Sequence, residues 1–362
     1  MATHFHALRI KDICNETSEC VSIAFDIPEA LQAEFRFTQG QNITLKTMLN
    51  GQEVRRSYSI CSGISDNELR VAVKKVDNGL FSTFANHTLK TGDTIEILPP
   101  SGRFYTTLNA SSKKNYLAFA AGSGITPILS IIKTTLATEP QSSFTLVYGN
   151  RNRASIIFKE QLEALKNRYT SRFVLHHILS REKTDAVVNH GRIDKEKCLQ
   201  LGEKLIDLTG MDDIFLCGPE AMIFSIKETL EQKGVPPAKI HFELFTTPGQ
   251  KTGGGSARAT TTAAAPSGKI SKVTVKLDGI SFDFDLPYNG EAILDAALQQ
   301  GADLPFACKG GVCATCRARL IEGKVEMDNN YALEPEEVNA GFILTCQSHP
   351  RSEKVMVDFD TR

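Results

Sequence analysis

Residues 304–316 read LPFACKGGVCATC, and this stretch decides what the C-terminal part of the chain folds around. Cys308, Cys313 and Cys316 are spaced C-x4-C-x2-C, and Cys346 follows after 29 further residues. This spacing is typical of a 2Fe–2S cluster, in which four thiolates hold two irons. The pattern therefore predicts that these four cysteines are metal ligands.

Two glycines inside the cysteine loop fit this prediction. Gly310 and Gly311 lack a Cβ, so backbone N–H groups around them can turn toward the cluster sulfurs. A four-cysteine zinc site is the alternative, but such sites usually combine two short C-x2–4-C pairs. Here Cys313 and Cys316 form one such pair, but the remaining two cysteines, Cys308 and Cys346, are too far apart in sequence to form a second. The sequence favours the iron–sulfur cluster.

Length and composition indicate a soluble protein of several domains. The chain has 362 residues, which exceeds the ~250–300 residues at which single cores stop growing. A net charge of −1 does not favour a nucleic-acid partner, and no apolar run approaches the ~18 residues of a membrane span. The sequence starts without a basic-then-apolar signal region. Its nine cysteines then suggest a reducing compartment, so we expect a cytoplasmic protein.

Short alternating stretches fill the first hundred residues. They lie at 21–25, 42–46, 69–75 and 94–98, and turn signals such as Asp77-Asn78-Gly79 separate them. Strands at this spacing predict a small antiparallel β-barrel, which we assign to residues 1–111.

Two motifs in this region are candidate cofactor contacts. Arg56, Tyr58 and Ser59 stand in one strand and offer an anion partner, a stacking face and a hydrogen bond. Residues 79–83 read GLFST and begin a helix, where free N–H groups can bind a phosphate. Taken alone, an Arg-Ser-Tyr-Ser strand is more often an ordinary edge strand than a cofactor site.

Together the two motifs resemble the flavin-binding half of the ferredoxin–NADP reductase family. The resemblance implies that Arg56 pairs with the flavin pyrophosphate, that Tyr58 stacks on the isoalloxazine ring and that Ser59 lies near flavin N5. It also implies flavin contacts in a downstream strand and at the helix start, by Val73, Lys74, Gly79, Phe81 and Ser82. The chain departs from the family at residues 37–41, FTQGQ, where a proline is often found.

From residue 112 the pattern changes to apolar strands alternating with helices. The strands lie at 116–120, 144–148, 173–179, 214–217 and 240–245. This alternation predicts an α/β domain with a parallel sheet over residues 112–245. After its first strand the chain reads GSGITP, where a dinucleotide phosphate would meet a helix N-terminus. The candidate phosphate-binding residues are Gly122, Gly124, Thr126 and Pro127.

Charge at two loops favours NADPH over NADH. Residues 149–153 read GNRNR and contain no acid, and residues 180–182 read SRE. An NADP site supplies Arg to the 2′-phosphate, whereas an NAD site commonly places Asp or Glu on the ribose. Ser180 and Arg181 also resemble the reductase family's 2′-phosphate pair. The alternative, that Arg151 and Arg181 are solvated loop charges, stays open.

Two further motifs resemble the reacting end of the family's site. Cys217-Gly218-Pro219 follows the fourth strand and is similar to the turn at the nicotinamide. Glu243-Leu244-Phe245 ends the last strand, where the family places an aromatic residue near the flavin. The candidates at the reacting atoms are therefore Ser59, Cys217, Glu243 and Phe245. Cys217 has an alternative as a packed core thiol, because free cysteines are often buried.

The remaining chain divides into a tether and a small module. Residues 246–268 are rich in Gly, Ser, Thr and Ala without hydrophobic periodicity, which predicts a flexible linker. Beyond it, a hairpin turning at Asp278-Gly279, a helix at 292–300 and a last strand at 355–359 resemble a plant-type ferredoxin. That resemblance implies an α+β β-grasp fold over residues 269–362.

The order of flavin, nucleotide and ferredoxin domains resembles the reductase components of multicomponent bacterial oxygenases. NADPH gives up two electrons as hydride and the cluster accepts one at a time, so a flavin must lie between them. Residues 118–127 and 295–316 and the ending VDFD resemble one branch of these reductases, which implies FAD, NADPH preference and a di-iron oxygenase as acceptor. FMN, a steroid or aromatic-ring hydroxylase as partner, a stand-alone diaphorase and a redox sensor stay open.

Overall fold

The computed structural model describes residues 4–245 and 268–361, which belong to two compact units. One unit is built from most of residues 6–245, and the other contains residues 268–361. The predicted tether at 246–268 lies outside the described residues except for Gly268. Within the described ranges, every helix is too short or too polar to cross a bilayer.

The first unit begins with a six-stranded antiparallel sheet. Its strands are β1 (His6–Thr17), β2 (Cys20–Asp26), β3 (Asn42–Leu49), β4 (Gln52–Ser59), β5 (Leu69–Lys74) and β6 (Thr94–Ile97). They follow the order β4-β3-β6-β1-β2-β5, and a bridge between Ile60 and Val71 joins the two edges. The sheet therefore closes into the predicted barrel, with helix α1 (Leu80–His87) after β5.

The long first strand was not predicted. β1 pairs with both β2 and β6, so it is central to the barrel. Leu8 and Ile10 are fully buried, but a register shift between Ile10 and Asp12 interrupts the ladder. Because a bulge breaks the two-residue period, the alternation that marks a strand in the sequence covers only part of β1.

The second half of this unit is the predicted parallel sheet. Its strands are β7 (Asn115–Ala121), β8 (Ser143–Asn150), β9 (Phe173–Leu179), β10 (Asp213–Gly218) and β11 (Ile240–Leu244), and its helices are α2 (Ile125–Thr138), α3 (Lys159–Arg168), α4 (Lys195–Lys204) and α5 (Glu220–Gln232). The order β11-β10-β7-β8-β9 reverses direction between β7 and β10. Ligands of such sheets bind beyond the carboxyl ends of the strands at this reversal.

The second unit is a mixed sheet with a short ribbon. Its elements are β12 (Ile270–Leu277), β13 (Ile280–Pro287), α6 (Ile293–Gln299), β14 (Arg317–Glu322), β15 (Val325–Met327), α7 (Pro335–Asn339), β16 (Phe342–Leu344), β17 (Ser348–Pro350) and β18 (Lys354–Asp358). The sheet order is β13-β12-β18-β14-β16, and β15 pairs with β17. Asp278 and Gly279 both have positive φ, 53° and 75°, as the tight hairpin between β12 and β13 requires. The architecture is the expected α+β fold.

Candidate functional site

The candidate flavin residues of β4 lie beside a packed aromatic pair. The Tyr58 ring is 5.5 Å from the Phe81 ring, centroid to centroid, with the planes 34° apart. Phe81 is fully buried and Tyr58 is half-buried. An aromatic ring supported by a buried neighbour while keeping some exposed surface can stack on a planar ligand. Arg56 is half-buried two residues earlier on the same strand, and alternation along a strand places it on the same face as Tyr58.

Ser82 shapes the loop before helix α1. Its Oγ accepts a hydrogen bond from the backbone N–H of Val76 at 3.1 Å and donates to the carbonyl of Gly79 at 3.3 Å. The Asn86 side chain donates to the carbonyls of Val73 and Ser82, at 3.1 and 2.8 Å. Because the hydroxyl is engaged within the loop, the first N–H groups of α1 are the donors best suited to an anion.

The GSGITP stretch forms a tight turn at the carboxyl end of β7. A Cβ on Gly124 would lie 2.1 Å from the carbonyl oxygen of Cys217, so the turn is pressed against β10. Gly122 has a φ of +55°, and its carbonyl accepts a hydrogen bond from the Tyr148 hydroxyl at 2.9 Å. A Cβ on Gly122 would lie 3.7 Å from Lys74 Nζ. Lys74, at the end of the candidate flavin strand β5, therefore lies beside this turn.

The first turn of helix α2, which follows this glycine turn, has features that suit a phosphate site. Thr126 is buried and its Oγ1 donates to the carbonyl of Ser123 at 3.0 Å. Pro127 stands in the first turn of α2, where its missing N–H leaves no helical hydrogen bond unmade. The turn and the N-terminus of α2 together lie at the sheet reversal, where a dinucleotide pyrophosphate binds in this class of fold.

The two arginine loops lie side by side. The backbone N–H of Arg181 donates to the carbonyl of Arg151 at 2.8 Å, and the N–H of Ser180 donates to the carbonyl of Asn150 at 2.9 Å. Both arginines are exposed. Their guanidinium groups therefore start from adjacent backbone positions beyond β8 and β9.

Glu182 pairs with the third arginine of these loops. Its Oε2 accepts the backbone N–H of Arg153 at 2.8 Å, and its Oε1 lies 3.4 Å from Arg153 Nε. Because Arg153 already has a carboxylate partner, Arg151 and Arg181 are the better candidates for a phosphate.

The candidate residues at the reacting atoms lie where the barrel meets the parallel sheet. Ser59 Oγ donates to Glu243 Oε2 at 3.0 Å, although the two residues are 184 positions apart. Glu243 pairs in register with Cys217 on the neighbouring strand. The residue keeps some exposed surface, but burial of its carboxyl raises the pKa of Glu243 to about 7, against hydrogen bonds from Ser59 and Asn42. The carboxyl therefore titrates near neutral pH.

Cys217 and Phe245 differ in accessibility. Cys217 is fully buried, and burial followed by the nearby Glu243 charge raises the pKa of its thiol well above the usual value. This burial also agrees with the alternative of a packed core thiol. Phe245 directly follows β11 and is 42% exposed, so its ring is available to cover a planar group.

The four cysteines of the second unit meet as two pairs. The Cys313 thiol hydrogen-bonds to Cys308, and the Cys316 thiol to Cys346. Cys313, Cys316 and Cys346 are buried, and Cys308 is half-buried. No three His, Cys, Asp or Glu side chains in residues 4–245 and 268–361 converge as ligands of one ion. Two thiol pairs are the donor set that a two-iron cluster requires.

Backbone donors surround the Cys308 sulfur. The Cys313 hydrogen bond and N–H groups of Gly310, Val312 and Cys313 lower the pKa of Cys308 to about 6. The Gly310 N–H lies 3.3 Å from the sulfur. Lys309, Gly311 and Ala314 have φ values of 51°, 76° and 53°, which winds the loop around this point. Donors directed at a sulfur favour its anionic form, so the residues present fit the cluster.

Two side chains of the site were missed from the sequence. Gln347 Nε2 donates to the carbonyl of Lys309 at 2.9 Å and lies 3.6 Å from the Cys346 sulfur. Asn42, buried at the start of β3, contributes with Ser59 to lowering the pKa of Glu243. The available signals were weak, because Gln347 only follows a cysteine and Asn42 only follows the turn at Gly40 and Gln41.

Three family models match the chain. The oxidoreductase FAD-binding domain matches residues 7–105, the oxidoreductase NAD-binding domain matches residues 119–228, and the 2Fe-2S iron-sulfur cluster binding domain matches residues 275–351. The chain is therefore an oxidoreductase with FAD, NAD(P)H and 2Fe–2S binding domains, as the motifs predict.

Relatives narrow this class. One subunit of the 1,2-phenylacetyl-CoA epoxidase of Escherichia coli (strain K12) is 45% identical over 360 residues, which cover 99% of each chain. The ferredoxin reductase component of the Rhodococcus rhodochrous 3-ketosteroid-9-alpha-monooxygenase is 31% identical over 97% of this chain and 96% of its own. The chain belongs to the family of oxygenase reductase components to which these two relatives belong. The branch indicated by residues 118–127 and 295–316, the reductase subunit of ring-1,2-phenylacetyl-CoA epoxidase, is thereby confirmed.

Solved structures share the fold. Phthalate dioxygenase reductase, described as a modular structure for electron transfer from pyridine nucleotides to a 2Fe–2S centre, has a TM-score of 0.59 at 24% identity and covers 98% of both chains. A type IV self-sufficient cytochrome P450 monooxygenase has a TM-score of 0.68 at 20% identity, over 98% of this chain and 41% of its own. These likenesses confirm the predicted fold class.

Proposed function

We propose that this chain passes electrons from NADPH, through FAD and a 2Fe–2S cluster, to a di-iron oxygenase that epoxidises phenylacetyl-CoA. The observation that carries the proposal is the 45% identity with the Escherichia coli epoxidase chain over 99% of both sequences. The proposal goes beyond the reductase class in two respects, namely the acceptor and the choice of NADPH. It also places the chain in the cytoplasm, because nine free cysteines suit a reducing compartment.

The barrel residues would hold the flavin. When bound, FAD accepts a hydride from the nicotinamide and passes electrons singly to the cluster. Arg56 would pair with the pyrophosphate and Tyr58 would stack on the flavin ring, supported by Phe81. The remaining contacts are proposed for Val73, Lys74, Gly79 and the loop that Ser82 shapes.

The sheet residues would hold the nucleotide. Gly122, Gly124, Thr126 and Pro127 form the turn for its pyrophosphate. Cys217 and Gly218 end β10, and Pro219 follows the strand, at the proposed nicotinamide end. A Cβ on Gly218 would lie 2.7 Å from Met222 Cε and 3.2 Å from Ala121, so the backbone there is closely packed. Arg151, Ser180 and Arg181 would bind the 2′-phosphate, supported by the hydrogen bond between the two arginine backbones.

Ser59 and Glu243 would serve hydride transfer. With a pKa of about 7, the Glu243 carboxyl holds or releases a proton at neutral pH, and the Ser59 hydroxyl donates to its Oε2. Phe245 would cover the flavin ring two residues further on. In the second unit, Cys308 and Cys313 would bind one iron and Cys316 and Cys346 the other, following the two observed thiol pairs.

The acceptor is tested by reconstitution. Purified holoprotein is mixed with the oxygenase component of a phenylacetyl-CoA epoxidase, and NADPH consumption and epoxide are both measured. We expect product in proportion to NADPH consumed. No product with this oxygenase, together with product from a 3-ketosteroid hydroxylase, would assign the chain to the other branch. Reduction of small dyes by a protein without iron and sulfide would favour the diaphorase.

A further inference from the structure

The loop between β4 and β5, residues 61–67, is fixed to the barrel at its base. The backbone N–H of Cys61 donates to the carbonyl of Arg70 on β5 at 2.9 Å. The backbone N–H of Arg70 in turn donates to Ser62 Oγ at 3.2 Å. Because β4 and β5 carry the candidate flavin residues, the loop moves with the flavin-binding part of the barrel.

The tip of this loop contacts helix α2 of the parallel-sheet half. The backbone N–H of Ile64 donates to Thr134 Oγ1 at 3.2 Å, and Thr134 is buried. Lys133 Nζ donates to Asp66 Oδ2 at 2.9 Å, and the two side chains, 18% and 33% exposed, are partly shielded from solvent. The same Oδ2 accepts the backbone N–H of Gly63 at 2.9 Å. One carboxylate oxygen therefore joins the turn of the loop to the helix.

Gly63 allows the loop to approach α2 closely. A Cβ on Gly63 would lie 2.8 Å from Lys133 Cβ, whereas carbon atoms in contact are about 3.5–4.0 Å apart. Lys133 Cβ is attached to the helix backbone, so it cannot turn away as the end of a flexible side chain could. The φ of Gly63 is −78°, which any residue can adopt. A larger residue here would therefore force the loop and α2 apart without straining the backbone.

Helix α2 connects this contact to the glycine turn of the nucleotide site. Thr134 lies roughly 13 Å along the helix axis from Ile125, which directly follows that turn. The helix start is packed against its own sheet, since a Cβ on Gly124 would lie 2.1 Å from the carbonyl oxygen of Cys217. The sheet half therefore moves with α2. A rotation of about 5° around the contact would shift the turn by about 1 Å relative to the barrel, and such a misplacement can cost about 100-fold in rate.

We propose that Asp66 is a positioning residue for hydride transfer, because its bonds to Gly63 and Lys133 hold the barrel against α2 and thereby set the separation of flavin and nicotinamide. The inference rests on the proposed placement of the flavin in the barrel and of the nucleotide at the sheet. Hydride transfer moves one hydrogen with two electrons from the nicotinamide to the flavin, and it needs the reacting atoms about 3–3.5 Å apart. Pyrophosphate binding uses the turn before α2 and does not need this separation. Loss of the contact should therefore slow the transfer and leave nucleotide affinity unchanged.

The test compares Gly63→Ala and Asp66→Ala with the control Asp93→Ala in the FAD-loaded holoprotein. The Asp93 carboxylate also accepts a backbone N–H within a barrel turn, that of Lys90 at 2.8 Å, but this turn precedes β6. Stopped flow measures flavin reduction by NADPH, the charge-transfer absorbance reports stacking of the nicotinamide on the flavin, and titration gives the Kd for NADP⁺. We expect reduction to be about 10- to 100-fold slower and the charge-transfer absorbance weaker in the two loop variants, with Kd unchanged within about twofold. Asp93→Ala should show none of these changes.

The outcomes separate positioning from stability and from the proposed function. An unchanged reduction rate and charge-transfer absorbance in the folded Gly63→Ala and Asp66→Ala proteins would overturn the inference. A Kd for NADP⁺ that rises in step with the loss of rate, or an equal slowing in Asp93→Ala, would also overturn it. If the loop variants do not fold, Lys133→Met removes only the ammonium group, and a rate and Kd both equal to those of the unaltered protein would then count against the inference. Failure of NADPH to reduce the flavin of the unaltered protein would instead contradict the proposed function.

Discussion

The junction around Glu243 and the loop around Cys308 shift the pKa of an acidic group in opposite directions. At the junction, burial raises the pKa of a carboxyl to about 7, and its partner Ser59 is 184 residues away. In the loop, a neighbouring thiol and backbone N–H groups within five residues lower the pKa of a thiol to about 6. A carboxyl with a raised pKa is thus made by long-range packing, whereas a thiol with a lowered pKa is made by local backbone conformation and a neighbouring thiol.

This difference predicts how each region fails. The loop holds its donors in one short segment, so a change there should affect the cluster and leave the nucleotide half intact. The junction depends on strands from the barrel and from the parallel sheet, so a change there should alter rate, pH dependence and stability together.

The largest effect is expected from Cys346→Ser. Removing one of four thiolates should prevent the cluster from assembling, so cytochrome c reduction should be lost while ferricyanide reduction by the flavin persists. Iron content and both rates are measured. Cys198→Ser is the matched control, since Cys198 is equally buried but lies on α4. Loss of both activities would mean that the cluster is not the outer relay.

Glu243→Gln should slow flavin reduction by about 100-fold, the usual scale of an acid–base contribution. It should also stabilise the protein at high pH. The ordinary pKa of this carboxyl is 4.5 and the folded value is about 7, so its contribution to stability is present below about pH 4.5 and is lost as pH rises through 7. The glutamine avoids this loss, which the rise in pKa from 4.5 to about 7 sets at roughly 3 kcal/mol at pH 8.

Melting temperature measures the effect of Glu243 on stability separately from its effect on the rate of flavin reduction. At pH 8 the Glu243→Gln protein should melt higher than the unaltered protein, and at pH 4.5 the two should coincide. Ser59→Ala, which removes one donor to the carboxylate, should instead melt lower at pH 8. Equal melting curves at both pH values would contradict the raised pKa.

The fold could be predicted because its signals are local. The strands around 69–75 and 173–179 alternate or run apolar over their full length, and the structure confirms them at Leu69–Lys74 and Phe173–Leu179. β1 was missed because its bulge interrupts the alternation. The domain borders at 111 and 245 stay predictions.

The site was predictable only where spacing or resemblance marked it. The four cysteines follow a ligand spacing, and Ser59 and Glu243 followed from the reductase resemblance. Asn42 carries no periodic signal, and the space for its amide depends on the position of Gly102 in the folded barrel. Hydrogen bonds between distant strands are properties of packing, so a single sequence does not reveal them.

A smaller effect is expected from Arg181→Ala. Loss of one charge-assisted contact to the 2′-phosphate should raise the KM for NADPH about tenfold and leave the KM for NADH unchanged. Steady-state kinetics with both nucleotides measure it. Arg168→Ala removes the same charge from the end of α3 and is the control. Equal losses with both nucleotides would favour a structural role for Arg181 and remove the argument for NADPH.

The smallest effect is expected from Gln347→Met. The Gln347 amide lies 3.6 Å from the Cys346 sulfur, and hydrogen bonds to cluster sulfurs stabilise the reduced, more negative state. Removing one should lower the reduction potential of the cluster by roughly 40 mV, which corresponds to about 1 kcal/mol for one electron. Asn329→Ala is the control, because Asn329 contacts the Oε1 of Gln347, 3.2 Å away, on the opposite side of the amide. A potential that moves equally in both variants would show that loop rigidity, and not the sulfur contact, sets the potential; the local loop would then depend on packing as the junction does.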